Sequence, residues 1–146
     1  MNNFELQQHN CFGCGLKNDI GLKLNFTKKN DLIVGSFIAH KDYEGFPNIL
    51  HGGIQSAILD EAMNWVFFID QIFVVTTKIE LKFRRPIPVN ESVIIKAEQI
   101  KENKKLYTAK GQIILESGAI ATESYGEFYV MKESDKHKII EHFNNN

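Results

Sequence analysis

A single helical segment in a chain otherwise written in period two constrains this fold more than any other feature. From residue 53 to residue 70, Ile54, Ala57, Ile58, Met63, Trp65, Val66 and Phe67 are spread almost all the way round a helical wheel. A helix that is apolar on most faces has to be enclosed. Its polar exceptions Ser56, Asp60 and Asn64 fall at i, i+4 and i+8 and so share one stripe. Glu61 follows Asp60 directly, about 100° further round. A carboxylate withdrawn from water costs several kcal/mol unless hydrogen bonds or a raised pKa relieve it, which makes both acids the first candidates for chemistry.

The remaining patterned stretches read as strands. Leu22, Leu24 and Phe26 alternate with Lys23, Asn25 and Thr27, and a turn at 28–31 leads to a hairpin partner at 32–39. After the helix come strands at 73–85, 92–101, 106–116 and 119–132, joined by short turns such as Ser117-Gly118. Residues 1–21 are turn-rich and irregular, and 133–146 form a charged tail with at most one helical turn near Ile139, Ile140 and Phe143. Two strands, one helix of about 27 Å and four strands predict an α+β domain, a curved antiparallel sheet wrapped around the helix. Exposed sheet edges then favour pairing into a two-fold dimer.

With 146 residues, 43% hydrophobic and 24% charged, the chain fits one globular domain spanning 1–146. A net charge of -1 with mixed signs supplies no field for nucleic acid or an anionic membrane. The start carries neither a basic n-region nor an apolar h-region, so the protein is expected in the cytoplasm. The greasiest window, 65–75, is broken by Asp70 and Gln71 and is too short to span a bilayer.

Cys11 and Cys14 are the only cysteines, in a Cys-Phe-Gly-Cys-Gly unit. A structural zinc site wants four ligands and no second such pair follows, so the unit is expected to be a turn of small residues, with no metal and no disulfide. Taken alone, His51-Gly52-Gly53 reads as a tight turn with glycines at positive φ. Asp60 alone reads as a structural acid paired with Asn64, and Arg84-Arg85 as a solvated strand end.

These motifs occur together and in order: Cys11 to Asn18, Gly45 to Gly53 ending in His-Gly-Gly, Asp60-Glu61 nine and ten residues after His51, and Thr76 to Pro86 ending in Arg-Arg-Pro. In that combination the chain resembles the hot-dog-fold acyl-CoA thioesterases of the PaaI-like branch, related to the 4-hydroxybenzoyl-CoA thioesterases. The resemblance implies hydrolysis of a small aryl- or fatty acyl-CoA thioester with no cofactor, coenzyme A entering as part of the substrate. Asp60 would be nucleophile or general base. The Gly52 N–H would donate to the developing oxyanion at the helix N-terminus, where backbone donors lack intrahelical partners.

His51 would orient the loop or hydrogen-bond near the carbonyl, with Asn48 counted beside it. Thr76, the residue that aligns with the family's hydroxyl, or Thr77 would complete the site from the other subunit of a homodimer, which could pair again as a dimer of dimers. Gly53, Glu61, Thr77, Lys82, Arg84 and Arg85 are the residues expected near substrate and coenzyme A, the arginines because guanidinium suits phosphate. The acyl pocket is expected near Trp65, Phe67, Phe68 and the loop from Tyr43 to Phe46. A hydroxyacyl-thioester dehydratase or hydratase, and a non-catalytic acyl-CoA-binding module, are the alternatives. The first needs a histidine opposite the acid, for which His40 is the nearest choice.

Overall fold

A computed structural model describes residues 3–145. Its six strands are β1 (Phe26–Lys29), β2 (Leu32–Ile38), β3 (Val74–Phe83), β4 (Ser92–Asn103), β5 (Leu106–Ile114) and β6 (Ile120–Val130). They form one antiparallel sheet in the order β1-β2-β4-β5-β6-β3, so β1 and β3 are its edges. Helix α1 (Asn3–Leu6) precedes the sheet, α2 (Gly52–Phe68) is wrapped by it, and α3 (Glu133–Asn145) closes the chain. The expected α+β wrap is therefore present.

The enclosure of α2 follows from its sequence. Ile58, Leu59, Ala62, Met63 and Trp65 are fully buried, against Phe26, Ile33, Val93, Ile95, Ala109, Ile113 and Phe128 from the sheet. Each such large side chain contributes about 1.5–3 kcal/mol of burial. The helix starts at His51, whose ring caps it, and stops in a Schellman turn. There the Ile72 N–H reaches Phe67 O at 3.1 Å and the Gln71 N–H reaches Phe68 O at 2.8 Å, with Gln71 at φ 59. The polar stripe of Ser56, Asp60 and Asn64 stays half-buried, on the side the sheet leaves open.

Two expectations need correcting. The first strand begins at Phe26, four residues later than the alternation suggests. Leu22 and Leu24 are buried, but their N–H groups donate to Phe12 O (2.8 Å) and Gly13 O (2.9 Å), so this stretch pairs with the N-terminal loop instead of with β2. The tail is a 13-residue helix. Ile139 and Phe143 lie one turn apart and dock it, Phe143 stacking on His9 with ring centroids 4.4 Å apart.

Edge strand β3 carries one irregularity that positions the site. Its register against β6 slips between Thr76 and Lys78. Strict alternation from Ile79 and Leu81 would place Thr77 on the helix side and Thr76 outside. The bulge resets the parity, so Thr76 and Ile79 are both half-buried while Thr77 and Lys78 are exposed.

Candidate active site

The mouth of α2 is built by the loop before it. His51 N–H donates to Tyr43 O (2.9 Å), Leu50 N–H to Ile87 O (2.8 Å) and Gly45 N–H to Ile49 O (2.9 Å). His51 Nδ1 then accepts the Gly53 N–H at 2.8 Å, satisfying one of the donors the first turn leaves over. Neither motif glycine has positive φ; among the described glycines only Gly118 does. Gly53 is required by space, since a Cβ there would lie 2.9 Å from His51 Nδ1. A Cβ on Gly52 would meet only ordinary contact with Phe83 at 3.5 Å, so a glycine at that position leaves the surface beside its N–H open for a ligand.

That N–H opens on a cleft of about 800 Å3 lined by Phe46, His51, Gly52, Gln55, Phe83, Arg84 and Arg85 among others. Gln55 is buried and fixed by Leu50 O (3.1 Å) and by the Thr122 hydroxyl. Phe46 is 83% exposed and Phe83 53%, an apolar rim facing outward. Both arginines line the cleft, and each spends part of its guanidinium on the protein. Arg84 Nε pairs with Glu123 at 2.6 Å and Arg85 Nη1 donates to Ile120 O at 2.7 Å.

Asp60 lies two turns along the helix. Thr76 Oγ1 donates to Asp60 Oδ1 at 2.7 Å, and Asn64 Nδ2 donates to Thr76 Oγ1 at 3.2 Å. This corrects the assignment of Thr76 to a second subunit: the hydroxyl and the acid belong to one chain, brought together by the β3 bulge. Asn64 completes the group and was legible only as a member of the polar stripe. Burial raises the Asp60 pKa above the ordinary aspartate range, the Thr76 hydrogen bond works against that, and the charge of Cys11 adds to it. The group is a carboxylate with one oxygen held and a proton affinity enhanced by its surroundings, which suits attack or general-base work.

Gly52 and Asp60 cannot address one carbonyl within a single chain. Eight residues of helix separate them by about 12 Å along the axis. The acid with its hydroxyl, and the Gly52 N–H with its cleft, are thus two separate groups on one molecule.

Glu61 faces elsewhere. It packs under the N-terminal loop, Trp65 Nε1 donating to Oε1 at 3.2 Å and Cys11 Sγ lying 3.6 Å from Oε2. Burial, then the charge of Cys11, pushes its pKa up to about 7. The hydrogen bond from Cys14 lowers the Cys11 thiol to about 5, and the same contact raises Cys14. Glu61 thus lies outside the cleft beside His51 and lines a separate cavity with Cys11, Cys14 and Asn64.

The other expected residues divide. Thr77 donates to Glu127 O (3.0 Å) on the outer face. Lys82 lines a groove with Glu80, Lys110 and Tyr125 on that same face, away from His51. Asn48 sits at φ 65 with an exposed side chain, its N–H on Glu44 Oε2 (3.0 Å), and shapes the loop. Trp65 and Phe67 are core residues, whereas Phe46 is at the cleft and Phe68 is half-buried. No helix among the described residues is long and apolar enough to cross a membrane.

Comparison with known proteins bears on this arrangement. Over 126 residues the chain is 26% identical to the bovine (Bos taurus) acyl-coenzyme A thioesterase THEM4, covering 84% of this chain and 52% of that protein. It thus spans about half the length of this curated relative. A thioesterase superfamily protein of known structure superposes with a TM-score of 0.74 at 20% identity, over 78% of this chain and 60% of its own. A hypothetical thioesterase from Streptococcus pneumoniae, solved with coenzyme A, gives 0.70 at 14% identity, over 74% and 88%. The Escherichia coli PaaI protein from the phenylacetic acid degradation operon gives 0.70 at 13%, over 76% and 81%. These likenesses identify the hot-dog fold, with PaaI proteins among its structural neighbours. The family description "Thioesterase superfamily" matches residues 47–122, a span that takes in Gly52, Asp60 and Thr76 and just over half of the chain, and the chain belongs to that superfamily.

Proposed function

We propose that this protein is an acyl-CoA thioesterase whose active sites form between two copies of the chain, Asp60 and Thr76 from one and the Gly52 N–H from the other. The observation that carries the reading is the Asp60–Thr76 hydrogen bond of 2.7 Å on the open side of the central helix. Superfamily membership and the coenzyme A bound to the streptococcal relative support the substrate class. Variants of that relative with an aspartate or a threonine replaced by alanine, sixteen positions apart, have also been solved. Asp60 and Thr76 have the same separation here.

In this mechanism the acyl-CoA lies along the cleft, its thioester carbonyl oxygen receiving the Gly52 N–H. A backbone donor at a helix N-terminus stabilises the charge that builds on that oxygen. Asp60 attacks the carbonyl carbon directly or takes a proton from a water that attacks it. The C–S bond then breaks and coenzyme A leaves as the thiol, taking its proton on the water route from Asp60 and on the direct route from solvent, after which water opens the mixed anhydride left on Asp60 and releases the carboxylic acid. Thr76 holds Asp60 in one orientation, and Asn64 holds Thr76. Arg84 and Arg85, at the mouth, neutralise phosphate with the guanidinium nitrogens left over from their internal bonds. The 12 Å between the half-sites and the apolar rim at Phe46 and Phe83 favour an antiparallel pairing of two α2 helices.

The test is thiol release from a panel of short, medium, long and aryl acyl-CoAs. Hydrolysis of at least one, lost in Asp60→Asn with the fold retained, is the expected result. Full activity of Asp60→Asn would sink the role of the acid, and binding without turnover of any thioester would leave a binding module instead.

A further inference from the structure

The N-terminal loop carries a group of side chains that thioester hydrolysis does not use. Cys11 Sγ, Cys14 Sγ and a Glu61 carboxylate oxygen all lie within 4.8 Å of one another. We propose that these three side chains bind a zinc ion, which ties the N-terminal loop to the central helix.

Geometry favours coordination over a plain thiol contact. Tetrahedral zinc with Zn–S near 2.3 Å and Zn–O near 2.1 Å sets its sulfur and oxygen ligands about 3.6 Å apart. Cys11 Sγ and Glu61 Oε2 stand 3.6 Å apart. The carboxylate is also oriented as a ligand: the Trp65 indole holds Oε1 and leaves Oε2 toward the sulfurs. The polar partners of Glu61 are thus an indole and two thiols, a buried acid set against soft donors instead of against a lysine or arginine.

The loop is fixed before any ion arrives. Gly15 N–H donates to Cys11 O at 2.9 Å, closing the turn between the cysteines, and Gln7 Nε2 bridges Cys14 O (3.0 Å) and Leu24 O (2.8 Å). A Cβ on Gly15 would lie 2.4 Å from Cys11 N and from His9 O, and one on Gly13 would lie 2.3 Å from Glu61 Oε2. Both glycines therefore let the knuckle close on the carboxylate. His9 acts from outside the ligand set. Its Nδ1 accepts the Cys11 N–H at 3.2 Å, so Nε2 carries the proton and points at Cys14 Sγ, 4.0 Å away. That is an outer-shell donor to a metal-bound sulfur, with Phe143 of α3 stacked on its ring.

Three protein ligands leave one position open, and a cavity of about 300 Å3 lined by His9, Cys11, Cys14, Glu61, Asn64 and Phe143 among others gives a water room to fill it. Two sulfurs and one oxygen select a borderline ion such as zinc over magnesium or calcium, which prefer all-oxygen sites. Each thiol binds as thiolate, its proton passing to solvent. This inference stands apart from thioester hydrolysis.

The test uses the full chain purified under reducing conditions without chelator. Elemental analysis should give one zinc per chain. After exchange, cobalt(II) should show thiolate-to-metal charge transfer in the near ultraviolet and the visible bands of a tetrahedral ion. Glu61→Gln, which keeps volume and polarity, should weaken binding at least tenfold and alter the visible bands, and Cys11→Ser should abolish the charge-transfer band. Chelator should lower the melting temperature of the wild type by about 5 °C or more and leave Glu61→Gln nearly unchanged. Absence of bound metal in wild type held at excess zinc would overturn the proposal. So would a cobalt spectrum unaffected by Glu61→Gln, or a Cys11-to-Cys14 disulfide persisting under reductant.

Discussion

Asp60 and Glu61 are neighbours in sequence and about 100° apart on one helix, and the fold gives them opposite surroundings. Asp60 looks out along the open stripe, where a threonine hydroxyl holds one oxygen. Glu61 looks in beneath a loop of cysteines and glycines, bonded to an indole and facing sulfur. Burial raises both pKa values, but only at Asp60 does a neutral hydroxyl stabilise the ionised form. The difference teaches that an acidic pair on an apolar helix is not a functional unit. In the proposed mechanism one acid serves chemistry between two copies, while its neighbour faces a peripheral segment.

The largest effect separates the two acids by activity. Asp60→Asn should lower kcat by about 10^3-fold or more, whereas Glu61→Gln should keep most of the wild-type rate. Thiol-release assays on both variants check this; equal losses would erase the distinction.

Stability separates them next. With chelator present, folded Glu61 keeps its proton up to about pH 7, whereas the unfolded chain releases it near 4.5. Between those values Glu61 holds a proton in the native state that the unfolded chain lacks, so its own contribution to stability falls as pH rises, while above about pH 5 the ionisation of Cys11 in the folded state works the other way. Urea unfolding at a series of pH values should show the stability of wild type relative to Glu61→Gln declining across that window. A difference between the two that stays constant with pH would contradict the assignment to Glu61.

A smaller effect tests the bulge in β3. Asp60 must be ionised to act, so the rate falls as pH drops through its raised pKa. Thr76→Ala removes the hydrogen bond that favours the ionised form, and the acid limb of kcat/KM should move to higher pH, with kcat about tenfold lower. Thr77→Ala, whose hydroxyl reaches only Glu127 O on the outer face, should leave the profile in place.

Much of this was legible in the sequence, for identifiable reasons. The apolar wheel at 53–70 dictated an enclosed helix, and period two dictated the strands around it. Ser56, Asp60 and Asn64 announced an open stripe. The partner of Thr76 was not legible, because simple alternation places Thr77 inward and only a bulge reverses it. The sequence marks a helical turn near Ile139, Ile140 and Phe143 but not the 13-residue length of α3, because the charged residues around them carry no apolar period. The loop that covers Glu61 was not legible, because it is held by turn hydrogen bonds and glycine contacts that leave no periodic signature. The glycines of His51-Gly52-Gly53 turned out to serve space at Gly53 and access at Gly52, with ordinary φ at both.

The central claim is that Asp60 of one copy works with Gly52 of another, and subunit mixing tests it most directly. Asp60→Asn removes the acid. Gly52→Pro removes the oxyanion N–H at a first helical position where proline is tolerated, after a residue already extended at ψ 134. Each variant alone should be inactive. Unfolded together in equal amounts and refolded, half of the dimers should be mixed, each with one intact site, restoring roughly a quarter of the wild-type rate. A mixture no more active than the two parents would contradict a shared site and return the chemistry to a single chain.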